Sequence, residues 1–201
     1  SAGCSGYIYA VACASNMVKA GMYDNVLVIG AEILSRLVDW QDRSTCILFG
    51  DGAGAADIGQ VDEGYGLLAS ELGSDGSLGK ILNIPASGVA EPVTHRAIDS
   101  KRIYIHMEGS EVFKAAVRHM GQTTLSTLEK AGITKEDINM FIAHQANDRI
   151  IQSLAKKLSI PSDRMYVNVD RYGNTSAASV GIALDEAVRA GLVKHGDYVV
   201  L

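Results

Sequence analysis

Apolar segments of strand length alternate with helix-length segments along almost the whole chain. Continuous apolar runs suit strands that are covered on both faces, and they predict strands at 26–30, 47–49, 140–143, 166–169 and 197–201. Spacing and end signals predict helices at 6–20, 110–130, 148–158 and 176–190, a short capped helix at 134–137 and a surface loop at 85–100. This alternation favours an α/β fold built in layers, with mostly parallel strands.

Composition narrows the class of protein. The 201 residues are 47% hydrophobic and 20% charged, which is typical of a soluble globular protein with a sizeable core. A formal net charge of −5 gives no reason to expect nucleic acid as a partner. No apolar run approaches the roughly 18 residues of a membrane span. The three cysteines, Cys4, Cys13 and Cys46, do not suit a disulfide framework, so we expect a cytoplasmic protein.

Both ends of the sequence fall inside predicted elements. Residues 1–4 lead directly into a helix, and the strand at 197–201 stops without a turn. We therefore expect the chain to be a fragment. Expressed alone, it should be unstable or inactive, because missing strands leave sheet edges unpaired.

Cys4 is the first candidate for chemistry. It lies among small residues at the start of an apolar helix, where a tight turn would expose the thiol and the positive end of the helix would favour thiolate. An isolated cysteine is more often a small buried side chain. Cys13 lies inside the same predicted helix, and we expect it to be inert.

His144 and Asn174 each follow a predicted strand, where functional groups of open α/β sheets gather. A lone histidine there is more often structural, and an asparagine before a helix is often a cap. Taken with Cys4, the three form a set that suits thioester chemistry. Sulfur attacks the carbonyl, and imidazole and amide N–H groups stabilise the developing oxyanion.

The glycine-rich segment 50–55 formally fits a dinucleotide-binding fingerprint. That motif must open a helix, and no helix of useful length fits before Gly59. Close backbone packing, which glycine and alanine permit, explains the segment better. The other histidines show no ligand spacing with the cysteines, so we expect no metal site.

Four motifs together resemble β-ketoacyl-acyl-carrier-protein synthase III, of the thiolase superfamily, in order and in spacing over essentially the whole chain. They are Ala-Gly-Cys-Ser-Gly at 2–6, Phe-Gly-Asp-Gly-Ala-Gly-Ala at 49–55, His-Gln-Ala-Asn at 144–147 and Tyr-Gly-Asn-Thr-Ser-Ala-Ala at 172–178. The resemblance implies a duplicated α/β fold, a five-layer α-β-α-β-α sandwich of which this chain would hold a part. Residues 1–70 would complete the first half, 71–100 would connect, and 101–201 would belong to the second. It also implies a homodimer.

The implied reaction begins fatty-acid synthesis. Cys4 would take an acyl group from acyl-coenzyme A, which is a substrate and not a permanently bound cofactor. Malonyl-acyl-carrier protein would then lose CO2, and its carbanion would attack the acyl-enzyme. By the same resemblance, His144 and Asn174 would donate hydrogen bonds to the malonyl thioester oxygen, and the Cys4 backbone N–H would form half of a second oxyanion hole.

Other roles are implied position by position. Coenzyme A and its pantetheine arm would be contacted by Arg43, Gly109, Phe113, Asn147 and Arg149. The wall of the primer pocket would include Leu34, Phe49 and Leu82. The acidic carrier protein would dock on Lys114, Arg149, Lys156 and Lys157, although a solvated helix surface explains these charges as well from sequence alone.

Alternative functions remain at this point. A papain-like peptidase also orders Cys, His and Asn along the chain, but its sequence signature around the nucleophile is absent here. A polyketide, quinolone or hydroxymethylglutaryl-coenzyme A synthase is an alternative within the superfamily. A non-catalytic acyl-binding or dimerisation fragment is the third.

Overall fold

The computed structural model describes residues 2–201. In the first part of the chain, a 3₁₀ turn at Gly3–Ser5 leads into helix α1, which ends before Gly21 at φ 68°. Strands β1 and β2 follow and pair antiparallel from Asn25↔Gly59 to Ile33↔Asp51. The bounds are α1 Gly6–Lys19, β1 Asn25–Ile33 and β2 Asp51–Gly59.

The middle of the chain contains only short elements. Strands β3 and β4 pair antiparallel through Leu82↔Met107 and Asn83↔His106. Helix α2 lies between them and is capped by the Thr94 hydroxyl, which accepts a hydrogen bond from the Ala97 N–H at 3.1 Å. The bounds are β3 Leu82–Asn83, α2 His95–Asp99 and β4 His106–Met107.

The remaining part returns to long helices and a parallel strand pair. The bounds are α3 Gly109–Ala131, β5 Ile138–Phe141, α4 Asp148–Leu158, α5 Val169–Tyr172, α6 Ala178–Arg189 and β6 Tyr198–Val200. Helix α3 ends where Gly132 adopts a left-handed conformation. Helix α4 is capped by Asn147, whose side-chain oxygen accepts a hydrogen bond from the Ile150 N–H. The predicted short helix at 134–137 is a 3₁₀ turn with a complete capping box.

Helices α1 and α6 lie between the two larger strand pairs. One core cluster joins Tyr7 of α1, Val28 of β1, Met140 of β5 and Val180 of α6. On the other side of β5, Phe141 packs on α4, and α3 packs against α4 in turn. Residues 2–201 thus supply four layers: β1–β2, α1–α6, β5–β6 and α3–α4.

Glycines bring β1 and β2 close to α6. A Cβ on Gly30 would lie 2.5 Å from the Ala177 carbonyl oxygen, and one on Gly54 would lie 2.7 Å from the Ile182 nitrogen. Backbone atoms cannot yield that space, so only glycine fits. The glycine-rich segment therefore forms most of strand β2 and packs by close approach, as the sequence predicts.

Four predictions about local structure are wrong. The strand predicted at 47–49 is a turn held by Asp42, whose carboxylate accepts hydrogen bonds from Ser44 and Thr45, and only Phe49 makes a bridge. The strand predicted at 166–169 stops at the Phe141↔Met165 bridge, because the Asn168 N–H is taken by the Gln145 side chain. The loop at 85–100 contains α2.

The fourth wrong prediction is that the strands are mostly parallel. Within the described residues β5 and β6 are the parallel pair, whereas β1–β2 and β3–β4 are antiparallel. The connection from β1 to β2 carries a 3₁₀ turn, Leu34–Arg36, and no crossover helix of the kind that parallel strands require.

Helix α1 is also less covered than its composition suggests. Tyr7, Ala14 and Val18 are buried along one face, whereas Cys13 is exposed on the other. The expectation that Cys13 is inert therefore cannot rest on burial, and it stays a prediction.

Candidate active site

The turn that leads into α6 brings the three candidate catalytic residues together. Asn174 lies on this turn, Ser176 lies beside Cys4, and Ser179 in the first turn of α6 contacts His144. Cys4 precedes α1 and His144 follows β5, so the candidate site draws on elements that are far apart in the sequence.

Asn174 is held by backbone hydrogen bonds from the first half of the chain. Its N–H donates to the Leu48 carbonyl at 2.7 Å, and its carbonyl accepts from the Gly50 N–H at 3.0 Å. Its side-chain oxygen accepts from the Ser176 N–H at 2.9 Å. The oxygen of the amide is thus engaged, which leaves the side-chain N–H groups of Asn174 available as donors.

Cys4 lies in the 3₁₀ turn ahead of α1 and is partly buried. Burial raises the pKa of its thiol. The Ser176 hydroxyl opposes that rise, and the negative charge of Glu32 adds to it. Loss of solvation therefore outweighs the favourable contacts at this thiol, and the expected contribution of the helix start to thiolate stability stays a prediction.

His144 follows β5 and is neutral near pH 7. Desolvation lowers its pKa to about 4, and its Nδ1 atom lies 2.6 Å from the Ser179 hydroxyl oxygen. A neutral imidazole carries one N–H donor and one acceptor. At this site the ring therefore acts as a hydrogen-bonding group and not as a cation.

Gln145 connects the His144 segment to the segment that precedes Asn174. Its side-chain nitrogen donates to the Ala143 and Tyr166 carbonyls at 2.8 and 3.1 Å, and its side-chain oxygen accepts from the Asn168 N–H at 2.9 Å. The side chain is almost fully buried. These three hydrogen bonds hold the His144 segment at a fixed distance from residues 166–168, which precede Asn174.

Glu186 of α6 anchors the short helix α5. It accepts hydrogen bonds from the Tyr172 hydroxyl at 2.6 Å and the Asn168 amide at 2.7 Å, and forms an ion pair with Arg171 at 2.8 Å. Because α5 runs directly into Gly173 and Asn174, this carboxylate helps to place the asparagine.

Sequence reasoning missed Glu32. The Ser176 hydroxyl donates to its carboxylate at 3.0 Å, and the Ala177 N–H lies 3.4 Å from the same oxygen. Ser176 has φ 49°, a left-handed conformation that costs energy for a residue with a side chain. Glu32 therefore stabilises a strained turn beside the thiol. An acidic residue at the end of an apolar strand run was the only sequence signal for it.

The residues predicted to contact coenzyme A lie on several elements. Asn147 lines a groove of about 450 Å³ together with Ile47, Leu48 and Gly173. Arg43, Gly109 and Arg149 are exposed and Phe113 is partly buried. None of these four lines that groove.

The predicted wall of the primer pocket is only partly assembled. Leu34 and Phe49 belong to one apolar cluster with Val38 and Ile105. Leu82 lies on β3, is 38% exposed and is outside that cluster.

The predicted basic surface lies on α3 and α4, which pack together. Lys114 and Lys156 are exposed, and Lys114 pairs with Glu111 at 2.7 Å. Lys157 is also exposed and donates to the Val117 carbonyl at 3.3 Å, so it contributes to helix packing as well as charge. Arg149 lies in the first turn of α4.

Residues 2–201 contain no group of His, Cys, Asp and Glu side chains that could hold a metal ion. In the same part of the chain, none of the helices combines the length and apolar character needed to cross a membrane.

Comparison with known proteins identifies the family. The sequence profile of 3-oxoacyl-[acyl-carrier-protein] synthase III matches residues 1–76, and the profile of the C-terminal part of that enzyme matches residues 128–201. The chain is 56% identical over 199 residues to β-ketoacyl-[acyl-carrier-protein] synthase III of Caldanaerobacter subterraneus subsp. tengcongensis; the match covers 99% of this chain and 60% of the relative. The chain belongs to the β-ketoacyl-acyl-carrier-protein synthase III family.

Solved structures agree with the assignment to this family. The β-ketoacyl-acyl-carrier-protein synthase III of Thermus thermophilus matches with a TM-score of 0.90 and 48% identity, over 98% of this chain and 60% of that one. The priming β-ketosynthase of the R1128 polyketide pathway matches with a TM-score of 0.84 and 34% identity, over 98% and 58%. The predicted thiolase-like fold is confirmed. The chain spans about 60% of the length of these synthase III relatives, and membership of the family excludes the peptidase hypothesis.

Proposed function

We propose that the protein to which this chain belongs catalyses a decarboxylative Claisen condensation that starts fatty-acid synthesis. The Cys4 sulfur attacks the carbonyl of a short acyl-coenzyme A, forming the acyl-enzyme and releasing coenzyme A with the thiol proton. Malonyl-acyl-carrier protein then loses CO2. Its carbanion attacks the Cys4 thioester, which releases the β-ketoacyl product and the Cys4 thiolate, and a proton from solvent restores the thiol.

One observation carries this proposal: Cys4, His144 and Asn174 converge on the turn into α6. A nucleophile beside two neutral N–H donors suits a reaction in which negative charge develops on thioester oxygens. A neutral His144 fits this role, because it stabilises an enolate by a hydrogen bond and does not protonate it irreversibly. One such donor contributes on the order of 10²–10³ in rate.

Acylation of Cys4 provides the first test. The protein expressed from the complete reading frame is incubated with acetyl- and branched acyl-coenzyme A, and the adduct is mapped by mass spectrometry. We expect the acyl group on Cys4 and none in Cys4→Ala. An adduct on the exposed Cys13 contradicts the assignment of Cys4 as the nucleophile. No adduct on any cysteine contradicts acyl transfer and favours a non-catalytic acyl-binding protein.

The two donor residues are tested at the second step. In His144→Ala and Asn174→Ala, malonyl decarboxylation should fall by about 10²–10³-fold, whereas acylation of Cys4 should largely survive. Decarboxylation at the wild-type rate in both variants would exclude the role.

We also propose the substrates, the partner, the compartment and the oligomeric state of the whole protein. Acyl-coenzyme A and acyl-carrier protein are the substrates and partner, the protein works in the cytoplasm as a homodimer, and no permanently bound cofactor takes part. The groove lined by Asn147 would receive the pantetheine arm. Similarity to the R1128 priming enzyme supports one second candidate, a polyketide priming ketosynthase. Condensation rates with fatty-acid and polyketide carrier proteins separate the two.

A further inference from the structure

Ser179 contacts His144, and the proposed reaction does not involve Ser179 directly. Ser179 lies in the first turn of α6 and is almost fully buried. Its hydroxyl oxygen lies 2.6 Å from His144 Nδ1 and 3.4 Å from the Gln145 backbone nitrogen. The two contacts join the start of α6 to the segment after β5 and suggest a function beyond packing.

The protons at this contact allow one consistent arrangement. A backbone N–H is always a donor, so the Gln145 N–H donates to the Ser179 oxygen. The hydroxyl then has one proton to donate. In the part of the chain that the structure describes, the one acceptor within hydrogen-bonding distance of that hydroxyl is His144 Nδ1.

The opposite tautomer leaves a buried group unsatisfied. If His144 carried its proton on Nδ1, the Ser179 oxygen would receive two N–H donors, and its own proton would have no acceptor. A buried donor without an acceptor costs about 1–3 kcal/mol. Because the ring is neutral, its single proton therefore belongs on Nε2.

We propose that Ser179 is a positioning residue that holds neutral His144 in its Nε2–H tautomer and fixes the direction of that N–H. The ring edge that faces Ser179 is occupied by the Nδ1 hydrogen bond, so the Nε2–H on the far edge is the donor available to substrate. The consequence for catalysis rests on the proposed function, since the Nε2–H would meet the malonyl thioester oxygen. A wrong tautomer would place a lone pair there and repel the developing charge.

The tautomer is measured directly and without substrate. In protein from the complete reading frame labelled with ¹⁵N-histidine, the His144 ring nitrogens are assigned by comparison with His144→Gln. In the wild type, Nε2 should show the chemical shift of a protonated nitrogen and Nδ1 that of an unprotonated one. In Ser179→Ala, both shifts should move towards an average of the two tautomers.

Matched variants separate the hydroxyl from packing. Ser179→Thr and Ser179→Val have nearly the same shape, but only threonine keeps the hydroxyl. We expect threonine to retain the wild-type nitrogen shifts and valine to lose them. Ser15→Ala removes another buried serine hydroxyl from a helix, α1, and should leave the His144 shifts unchanged.

Kinetics then test the catalytic consequence. The rate of malonyl decarboxylation should be about 10-fold or more lower in Ser179→Val than in Ser179→Thr. The largest expected decrease is about 10²–10³-fold, the effect of losing one hydrogen-bond donor. The rate of Cys4 acylation should be similar in the two variants.

Unchanged nitrogen shifts in both Ser179→Ala and Ser179→Val would overturn the proposal. If the shifts change but decarboxylation does not, the catalytic consequence is wrong and the tautomer assignment stands. Absence of condensation in the wild type would instead refute the proposed function, and the nitrogen shifts would still decide the role of Ser179.

Discussion

Glu32 and Ser176 act on the Cys4 thiol in opposite directions. The carboxylate raises the pKa of the thiol through its negative charge, whereas the serine hydroxyl lowers it by hydrogen bonding. The carboxylate also accepts the Ser176 hydroxyl proton, so the thiolate and the carboxylate compete for one donor. The reactivity of Cys4 thus depends on a residue of β1 and one of the turn before α6.

We predict that Glu32→Gln lowers the pKa of the thiol and that Ser176→Ala raises it. Glutamine removes the charge but keeps an oxygen that accepts from Ser176. Because thiolate is the reactive form, the pH profile of iodoacetamide alkylation should move to lower pH in Glu32→Gln and to higher pH in Ser176→Ala.

The measurement uses a background in which Cys13, Cys46 and any cysteine outside these 201 residues are replaced by serine, so that only Cys4 reacts. Shifts of both profiles in the same direction would contradict the competition between the two residues. A profile unchanged by Glu32→Gln would mean that the carboxylate acts only on the turn.

At the scale of elements, the packing of α6 on β1 and β2 positions Asn174 and Ser179. At Gly30 of β1 and Gly54 of β2 the strand backbone approaches the backbone at the start of α6 and within it directly. The turn before α6 thereby lies beside the Cys4 turn, with Ser176 next to the thiol. Strand and helix must keep this spacing for the site to form.

We predict that Gly54→Ala destabilises the fold by about 1–3 kcal/mol, the usual range for overpacking. The new methyl group would lie 2.7 Å from the Ile182 nitrogen and 2.8 Å from the Gly181 carbonyl carbon, and neither backbone atom can move away alone. Urea unfolding measures the loss.

Gly73→Ala is the matched control, because a Cβ at Gly73 meets no atom within 4 Å. Its free energy of unfolding should change little. Equal stability of the two variants would show that α6 and β2 shift apart without cost, and the spacing argument would then fail.

At the scale of the whole molecule, charge is distributed unevenly. The chain carries a net charge of −5, yet the packed helices α3 and α4 carry the exposed basic residues Lys114, Arg149, Lys156 and Lys157. An acidic carrier protein would not be drawn to these 201 residues by their net charge. A local basic surface is needed to attract it.

We predict that Lys114→Glu and Lys156→Glu each lower kcat/KM for malonyl-acyl-carrier protein, with a weaker salt dependence, and leave malonyl-coenzyme A little affected. Lys157 is excluded because it also bonds to the α3 backbone. Arg149 is excluded because it is proposed to contact coenzyme A.

Lys194→Glu makes the same charge change on another exposed lysine and should alter neither substrate. An equal decrease in kcat/KM for malonyl-acyl-carrier protein and malonyl-coenzyme A would contradict a docking role. It would mean that these lysines act in the active site or stabilise the fold.

The sequence alone determined the family, the fold class and the long helices. Helix α4 begins at Asp148 and ends at Leu158 as predicted, because its apolar spacing and its Asn147 cap are local signals. The strand at 51–59 was not predicted as a strand. Its glycines, alanines and aspartates have low strand propensity, and they form β2 because close packing on α6 and pairing with β1 outweigh that propensity.

Only the tertiary structure decided how the site is tuned. Ser176 and Glu32 are 144 positions apart in sequence, and His144 and Ser179 are 35 apart. Cys4, His144 and Asn174 could be predicted from sequence because each lies in a short motif of neighbouring residues. The raised pKa of the thiol, the lowered pKa of the imidazole and the tautomer inferred for it depend on burial and on partners from distant segments. Solvation and hydrogen bonding act through space, so no local pattern in the chain determines them.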